Sequence, residues 1–371
     1  MIWIIINIKN KNIFIFLSKF LLFFVDLYFL NNISIYEFIK KNKINNLKVC
    51  ICTLGKEENR YIKEFVEHYK NYGVDKIYLY DNNNIDGEKF ENVIQKYVDN
   101  KFVEINNWRG IKGKSTYYKI MDSCYQTYHD YYDWLIFYEI DEFIYLKKYK
   151  NIKSFLINHR FNQCESIQLN WVHMSDNNQL FYENKTLNER FTEKGKNIIK
   201  NRKNKICYVK SIIKGGLKNV VINNNHLLNK KLKACNGFGE KSQLKKIMSL
   251  KPDYEFNYIK HYYGKSVQEF IEKINRGDLL RGNKKKVINW AIKKFFYINK
   301  ITTEKVEYIQ KHIGKKYALT KYIKKIKWKL LIFLIDFIYN ILQVLIITQE
   351  LPINVIFERY IKLKYNIFLF L

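Results

Sequence analysis

The sequence predicts an α/β protein whose mostly parallel sheet carries helices on both faces. Strand-length apolar runs alternate with helical-period segments from residue 47 onward. Turn-forming residues punctuate the switches. Polar clusters fall at the carboxyl ends of the strands, where such sheets bind ligands. With 371 residues the chain accommodates one large domain with appendages, or two domains. Its 47% hydrophobic content, rich in Ile, Phe and Tyr, supplies a core and excludes a disordered chain.

Leu47 to Thr53 reads as a buried strand, and Glu57 to Tyr72 as a helix with Ile62, Phe65, Val66 and Tyr69 on one face. Gly73 closes that helix. A second strand, Lys76 to Tyr80, runs into the turn Asp81-Asn82-Asn83-Asn84 and is followed by a helix over Glu88 to Val98. Phe102 to Ile105 is the third strand, Thr116 to His129 the third helix, and Trp134 to Tyr138 a fourth strand delivering Glu139. These units form a central domain over 47–290, between an apolar and basic helical segment, 1–46, and a helical region, 291–371.

The six cysteines lack paired C-x-x-C spacing, so no structural zinc site is expected. Their apolar surroundings suit buried free thiols and a reducing, cytoplasmic compartment. Cys50 and Cys52 fall on one face of the first strand, as core residues. Ile2 to Leu30 is apolar, but Lys9, Lys11, Lys19 and Asp26 interrupt it before a span of about 20 residues accumulates. It reads as a buried or interfacial helix, with a true transmembrane span that anchors the chain as the alternative. Lys321 to Lys329 is a basic run before an apolar stretch, Leu330 to Ile347, which suits peripheral contact with the cytoplasmic face of a membrane. The net charge of +30 fits an anionic partner, and equally the Lys-, Asn- and Ile-rich usage of an A+T-rich coding sequence.

The chemistry concentrates in Glu139-Ile140-Asp141-Glu142-Phe143. Strand alternation turns Glu139 and Asp141 to one side, and two carboxylates held together call for a cation, Mn²⁺ or Mg²⁺ on a diphosphate. Thr53, Glu57 and Asp81 sit where a doubly wound sheet grips a nucleoside, and Lys114 is a further candidate on the donor. Neither G-x-G-x-x-G nor G-x-x-x-x-G-K-[ST] is present, which argues against a dinucleotide fold and a P-loop. In the stretch from Gln168, Trp171 is a candidate for stacking on a sugar, and Asp176 for the base that deprotonates an acceptor hydroxyl, with Glu142 and Glu240 as rivals.

The run from Val49 to Phe143 resembles glycosyltransferase family 92 and related family 2-like enzymes. The resemblance is carried by Glu64-Phe65-Val66-Glu67-His68-Tyr69, Gly73-Val74, Ile77-Tyr78-Leu79-Tyr80-Asp81-Asn82, a helix ending near Cys124, and the Trp134-led strand into the acidic motif. Lys210-Ser211-Ile212-Ile213 with His226 looks like a further family element. So does His261-Tyr262-Tyr263-Gly264-Lys265-Ser266, followed by Glu269-Phe270, Lys273 and Arg276-Gly277. The resemblance implies a GT-A fold and inverting transfer of a hexose from a nucleoside diphosphate sugar to a saccharide or glycolipid. It also implies Glu139, Asp141 and His261 on the metal, and His261 with Lys265 on the diphosphate. Glu139 departs from the aspartate that commonly opens the family's D-x-D.

Two rival readings predict different things. A sugar-phosphate nucleotidyltransferase wants a glycine-rich basic loop after the first strand, and Thr53-Leu54-Gly55-Lys56 is a poor version. A nucleic-acid-binding protein wants its lysines clustered with aromatics, whereas these are spread along the chain; no nucleic acid is expected.

Overall fold

The computed structural model describes residues 40–111, 116–196, 199–201, 204–222, 232–242, 244–245, 248–249, 252–276, 284–313, 328, 331–338 and 340–341. The expectations for Ile2 to Leu30, Lys114, His226 and the run from Lys321 to Lys327 lie outside the described residues.

The first four strands are β1 (Val49–Gly55), β2 (Lys76–Asp81), β3 (Val103–Asn107) and β4 (Trp134–Phe137). They lie in the order β3-β2-β1-β4, all parallel. This is the order of half a doubly wound nucleotide-binding sheet, and it follows from the helices α1 (Asn59–Asn71), α2 (Glu91–Asp99) and α3 (Thr116–Tyr128) that separate the strands. Central β1 is flanked by β2 and β4, which is why Val49 to Cys52 is apolar without alternation and, with Thr53, buried throughout. The apolar stripe expected on α1, Ile62, Phe65, Val66 and Tyr69, is buried. Gly73 has φ 79°, the left-handed conformation that ends a helix.

Beyond β4 the sheet is mixed, with parallel and antiparallel pairs. The later strands are β5 (Glu142–Leu146), β6 (Ser166–His173), β7 (Ile199–Asn201), β8 (Asn204–Lys214), β9 (Ala234–Asn236), β10 (Leu244–Lys245), β11 (Met248–Ser249) and β12 (Asn257–His261). The order continues β4-β8-β6-β12-β5, with β8 antiparallel to both β4 and β6. Among the described residues no crossover helix of the β1–β4 kind precedes β8, so nothing obliges it to run parallel.

The described chain divides into two compact units. One holds the residues up to Trp171 together with those from 199 to Lys260; the other begins at Val172, runs to residue 196 and resumes at His261. The second unit contains the short helix α5 (Leu187–Arg190) and α6 (Val267–Arg276), α7 (Lys284–Ile298) and α8 (Thr303–Ile313), whereas the short α4 (Ile152–Leu156) belongs to the first. Its core is Val267, Phe270, Ile288, Ile292, Phe295, Val306 and Ile309.

The cysteines correct the expectation of free thiols. Cys52 of β1 is bonded to Cys124 of α3, and Cys164 to Cys235 of β9, with Cα separations of 6.3 and 5.8 Å. Partners 72 and 71 residues apart meet only when the sheet assembles, so local surroundings did not reveal them. Cys50 is buried and free, and burial pushes its thiol pKa well up.

Residues 331–338 are helical, and Ile332, Phe333, Leu334 and Phe337 are exposed on them. Among the described residues no helix is long and apolar enough to cross a membrane.

Candidate active site at the carboxyl ends of the strands

Strand β4 stops at Phe137, one residue earlier than expected. Glu139 to Glu142 then form a turn, closed by the Glu142 N–H donating to the Glu139 carbonyl at 2.9 Å. A turn, rather than strand alternation, therefore presents Glu139 and Asp141. The turn packs on the end of β1: a Cβ on Gly55 would meet Ile140 Cδ1 at 2.7 Å and also clash with the Phe90 ring. Glycine is needed there for close approach.

Lys210, in the middle of β8, is fully buried. Its Nζ donates to Glu139 Oε1 at 2.7 Å, lies 3.1 Å from Glu142 Oε1, and sits 5.3 Å from the centre of the Trp171 ring. Burial works to lower the Lys210 pKa, but the charges of Glu139 and Glu142 overrule it and raise it. Tyr117 of α3 also donates to Glu139 Oε1, at 3.4 Å. The two glutamates differ in access: Glu139 keeps 38% of its side chain exposed and Glu142 none.

Glu142 is locked in place. Its Oε2 accepts the Glu139 N–H at 3.0 Å, and its own carbonyl accepts the Tyr69 hydroxyl at 2.8 Å. Burial raises its pKa, Lys210 opposes, and Glu139 and Asp141 add to the rise. Glu142 is thus enclosed and ion-paired to Lys210, and one of its carboxylate oxygens lies within 4.8 Å of one of Asp141. Trp171, expected to stack on a sugar, is buried within β6 and packs by Lys210.

Thr53 Oγ1 at the end of β1 and the Tyr138 hydroxyl just after β4 are buried without a hydrogen-bonding partner among the described residues. Buried hydroxyls seldom stay unpaired, so water or a ligand oxygen is expected at both.

Asp81 ends β2 as expected, yet it is heavily committed within the protein. Its Oδ1 accepts from the Asn83 N–H at 2.9 Å and from Asn83 Nδ2 at 2.8 Å, and its Oδ2 accepts from Arg109 Nη1 at 2.5 Å. The Arg109 guanidinium also donates to the carbonyls of Ile85, Gly87 and Glu88, fixing the loop after β2. Arg109 was missed by sequence reasoning; its only signal was a lone arginine in the Trp108-Arg109-Gly110 turn after β3. Glu57 is exposed with φ 52°, and its N–H donates to Asn83 Oδ1 at 2.7 Å.

In the second unit, the His261 ring lies 5.0 Å from that of His173, and Lys265 is buried with φ 53°. A buried lysine in left-handed backbone is a strained arrangement of the kind that gathers at functional sites. Asp176 is spoken for: Lys305 Nζ is 2.6 Å from its Oδ2, and the Asn178 N–H donates to its Oδ1 at 3.0 Å. With both partners buried, this is an internal ion pair. Glu240, the other rival, accepts from Asn236 Nδ2 at 3.0 Å and does not join the acidic turn.

The parallel β3-β2-β1-β4 order and the acidic turn beyond β4 define a class of α/β proteins that hold ligands at the carboxyl ends of their strands. A family profile described as glycosyltransferase family 92 matches residues 45–295, well over half of the sequence. The chain belongs to glycosyltransferase family 92. A family 92 protein of Ricinus communis is 28% identical over 108 residues, 29% of this chain. A second alignment is 26% identical over 111 residues, 30% of this chain. These stretches span only 19% and 18% of the relative's length. Among solved structures, S. aureus TarS 1-349 in complex with UDP-GlcNAc matches with a TM-score of 0.34 and 11% identity, over 72% of this chain and 82% of that one. A putative glucose-1-phosphate thymidylyltransferase from Bacillus anthracis matches with a TM-score of 0.27 and 11% identity, over 68% and 85%.

Proposed function

We propose that this chain transfers a hexose from a nucleoside diphosphate sugar to a saccharide or glycolipid hydroxyl, with inversion, in the synthesis of cell-surface glycans. The observation that carries this reading is the turn of Glu139 and Asp141 beyond β4 in a family 92 chain. A Mn²⁺ or Mg²⁺ ion suits the donor set, because the two groups offer only hard carboxylate oxygens, one partly open to solvent and one buried. Bound between Glu139 and Asp141, such an ion would offset the charge that grows on the departing nucleoside diphosphate. The protein's own part is to hold these two carboxylates on a short turn, braced by Gly55 and Lys210.

Peripheral membrane contact belongs to the same reading. The exposed apolar side chains of 331–338 follow the lysine-rich stretch Lys321 to Lys329, the combination that favours an anionic bilayer surface. The two disulfides favour an oxidising compartment, opposite to the one free thiols suggested.

A screen of UDP-, GDP- and dTDP-hexoses with Mn²⁺ tests the reading. Release of nucleoside diphosphate is the expected result. Release of pyrophosphate from a nucleoside triphosphate and a sugar phosphate would instead mark a nucleotidyltransferase.

A further inference from the structure

A lysine in the interior of a sheet is unusual. Burying an ammonium carries a large desolvation penalty unless well-placed opposite charges offset it. Lys210 occupies such a position in β8, opposite Leu169 of β6, and every described ionic contact of its Nζ is to a carboxylate of the acidic turn. Its two partners are not equivalent. Glu142 is fully buried and fixed by the Glu139 N–H; Glu139 is more than a third exposed and is one of the two carboxylates that the metal reading assigns to the cation.

We propose that Lys210 is a resident cation of the acidic turn: it holds Glu139 while no metal is bound and yields it when a divalent ion arrives, keeping Glu142 as its permanent counter-ion. The inference rests on the metal reading above and deepens it. An ion entering at Glu139 finds the oxygen it needs already engaged by an ammonium 2.7 Å away, and two cations drawn to one carboxylate repel each other. Lys210 therefore sets how tightly the turn binds metal. Glu142, by retaining the ammonium, eases the transfer of Glu139.

Mn²⁺ titrated into the purified full-length chain without donor, with free Mn²⁺ counted by electron paramagnetic resonance, gives a readout independent of turnover. Lys210→Met is expected to tighten Mn²⁺ binding by about tenfold, because a positive charge beside the site is removed. Glu142→Gln is expected to weaken it several-fold, and to weaken it less in the Lys210→Met background if its effect passes through Lys210. A residue that merely supports the fold would weaken binding in both single variants.

Unchanged or weaker binding by a natively folded Lys210→Met protein overturns the proposal and leaves the metal reading standing. Should Lys210→Met fail to fold, Lys210→Gln decides: tighter binding supports the proposal, and unchanged or weaker binding overturns it. Binding by Lys210→Met where the parent chain binds none supports it most directly. No Mn²⁺ binding by any of the proteins overturns the metal reading and this inference with it.

Discussion

Arg190 and Glu269 in the second unit are sealed from water on both sides, whereas Lys210 in the first unit is sealed and its partner Glu139 is not. The second-unit pair is saturated. Arg190 meets both oxygens of Glu269, at 3.0 and 2.5 Å, and the Ser266 hydroxyl and N–H cap α6 through the same carboxylate. All of that bonding is spent inside the protein. At the acidic turn, by contrast, one carboxylate faces solvent, a buried ammonium is shared between two acids, and the hydroxyls of Tyr138, next to Glu139 in sequence, and of Thr53 on the neighbouring strand β1 lack partners among the described residues. Similar ion pairs thus serve different ends: a closed network specifies a fold, and an open one is available to a ligand.

The largest expected effect separates the two directly. Asp141→Asn should lower turnover by about a thousandfold, the scale of losing one strong electrostatic contact to the transition state, with the denaturation midpoint nearly unchanged. Single-turnover assays beside urea titrations check both halves; retention of the parent rate would remove the distinction drawn above. Arg190→Met should do the reverse in kind, costing about 3–5 kcal/mol of stability because Glu269 is left buried and unpaired. Chemical denaturation measures it, and a loss under 1 kcal/mol would show that the second-unit pair is not structural.

Two further predictions sharpen the comparison by loosening the frame under the acidic turn. The Cys52–Cys124 bridge closes a loop of 72 residues between β1 and α3, so Cys52→Ser with Cys124→Ser should cost about 4 kcal/mol on the chain-entropy estimate. A thermal melt with and without reductant checks this, and an unchanged midpoint would count against the bridge. The smallest effect concerns pH. His68 is stacked on Tyr72, touches Phe143 edge-on, and its Nε2 donates to the Ile144 carbonyl at 3.1 Å, which holds the strand that follows the turn. Burial lowers its pKa from 6.5 to about 4, the Ile144 bond opposing and the Lys260 charge assisting. A base whose folded pKa is depressed contributes stability above its unfolded pKa and loses it as pH falls. Between pH 6.5 and 4 the parent should therefore lose up to about 3 kcal/mol more than His68→Gln. Equal slopes for the two proteins in urea titrations across that window would refute the assignment.

Much of the first unit was legible in the sequence. The first four strands and three helices lie within a few residues of their expected places, because hydrophobic period and turn residues act locally. The acidic motif was legible for the same reason. Illegible were the groups whose meaning depends on distant partners. Lys210 looked like part of a motif rather than a buried cation, Asp176 gave no sign of its ion pair with Lys305, far along the chain, and Arg109 carried no pattern at all. Trp171 looked like a sugar platform, and it is a wall of the Lys210 niche.

The order of residues by itself determined the alternating βα units, the apolar β1, the Gly73 helix end and the presence of acids beyond a tryptophan-led strand, since each depends on neighbours a few positions away. Tertiary structure alone decided that β8 runs antiparallel against β4, that four cysteines pair, and that Glu142 and Asp176 are ion-paired inside the protein. The physical reason is range: backbone propensity is set within one turn or strand, whereas the charge state and accessibility of a side chain are set by whatever the fold brings against it.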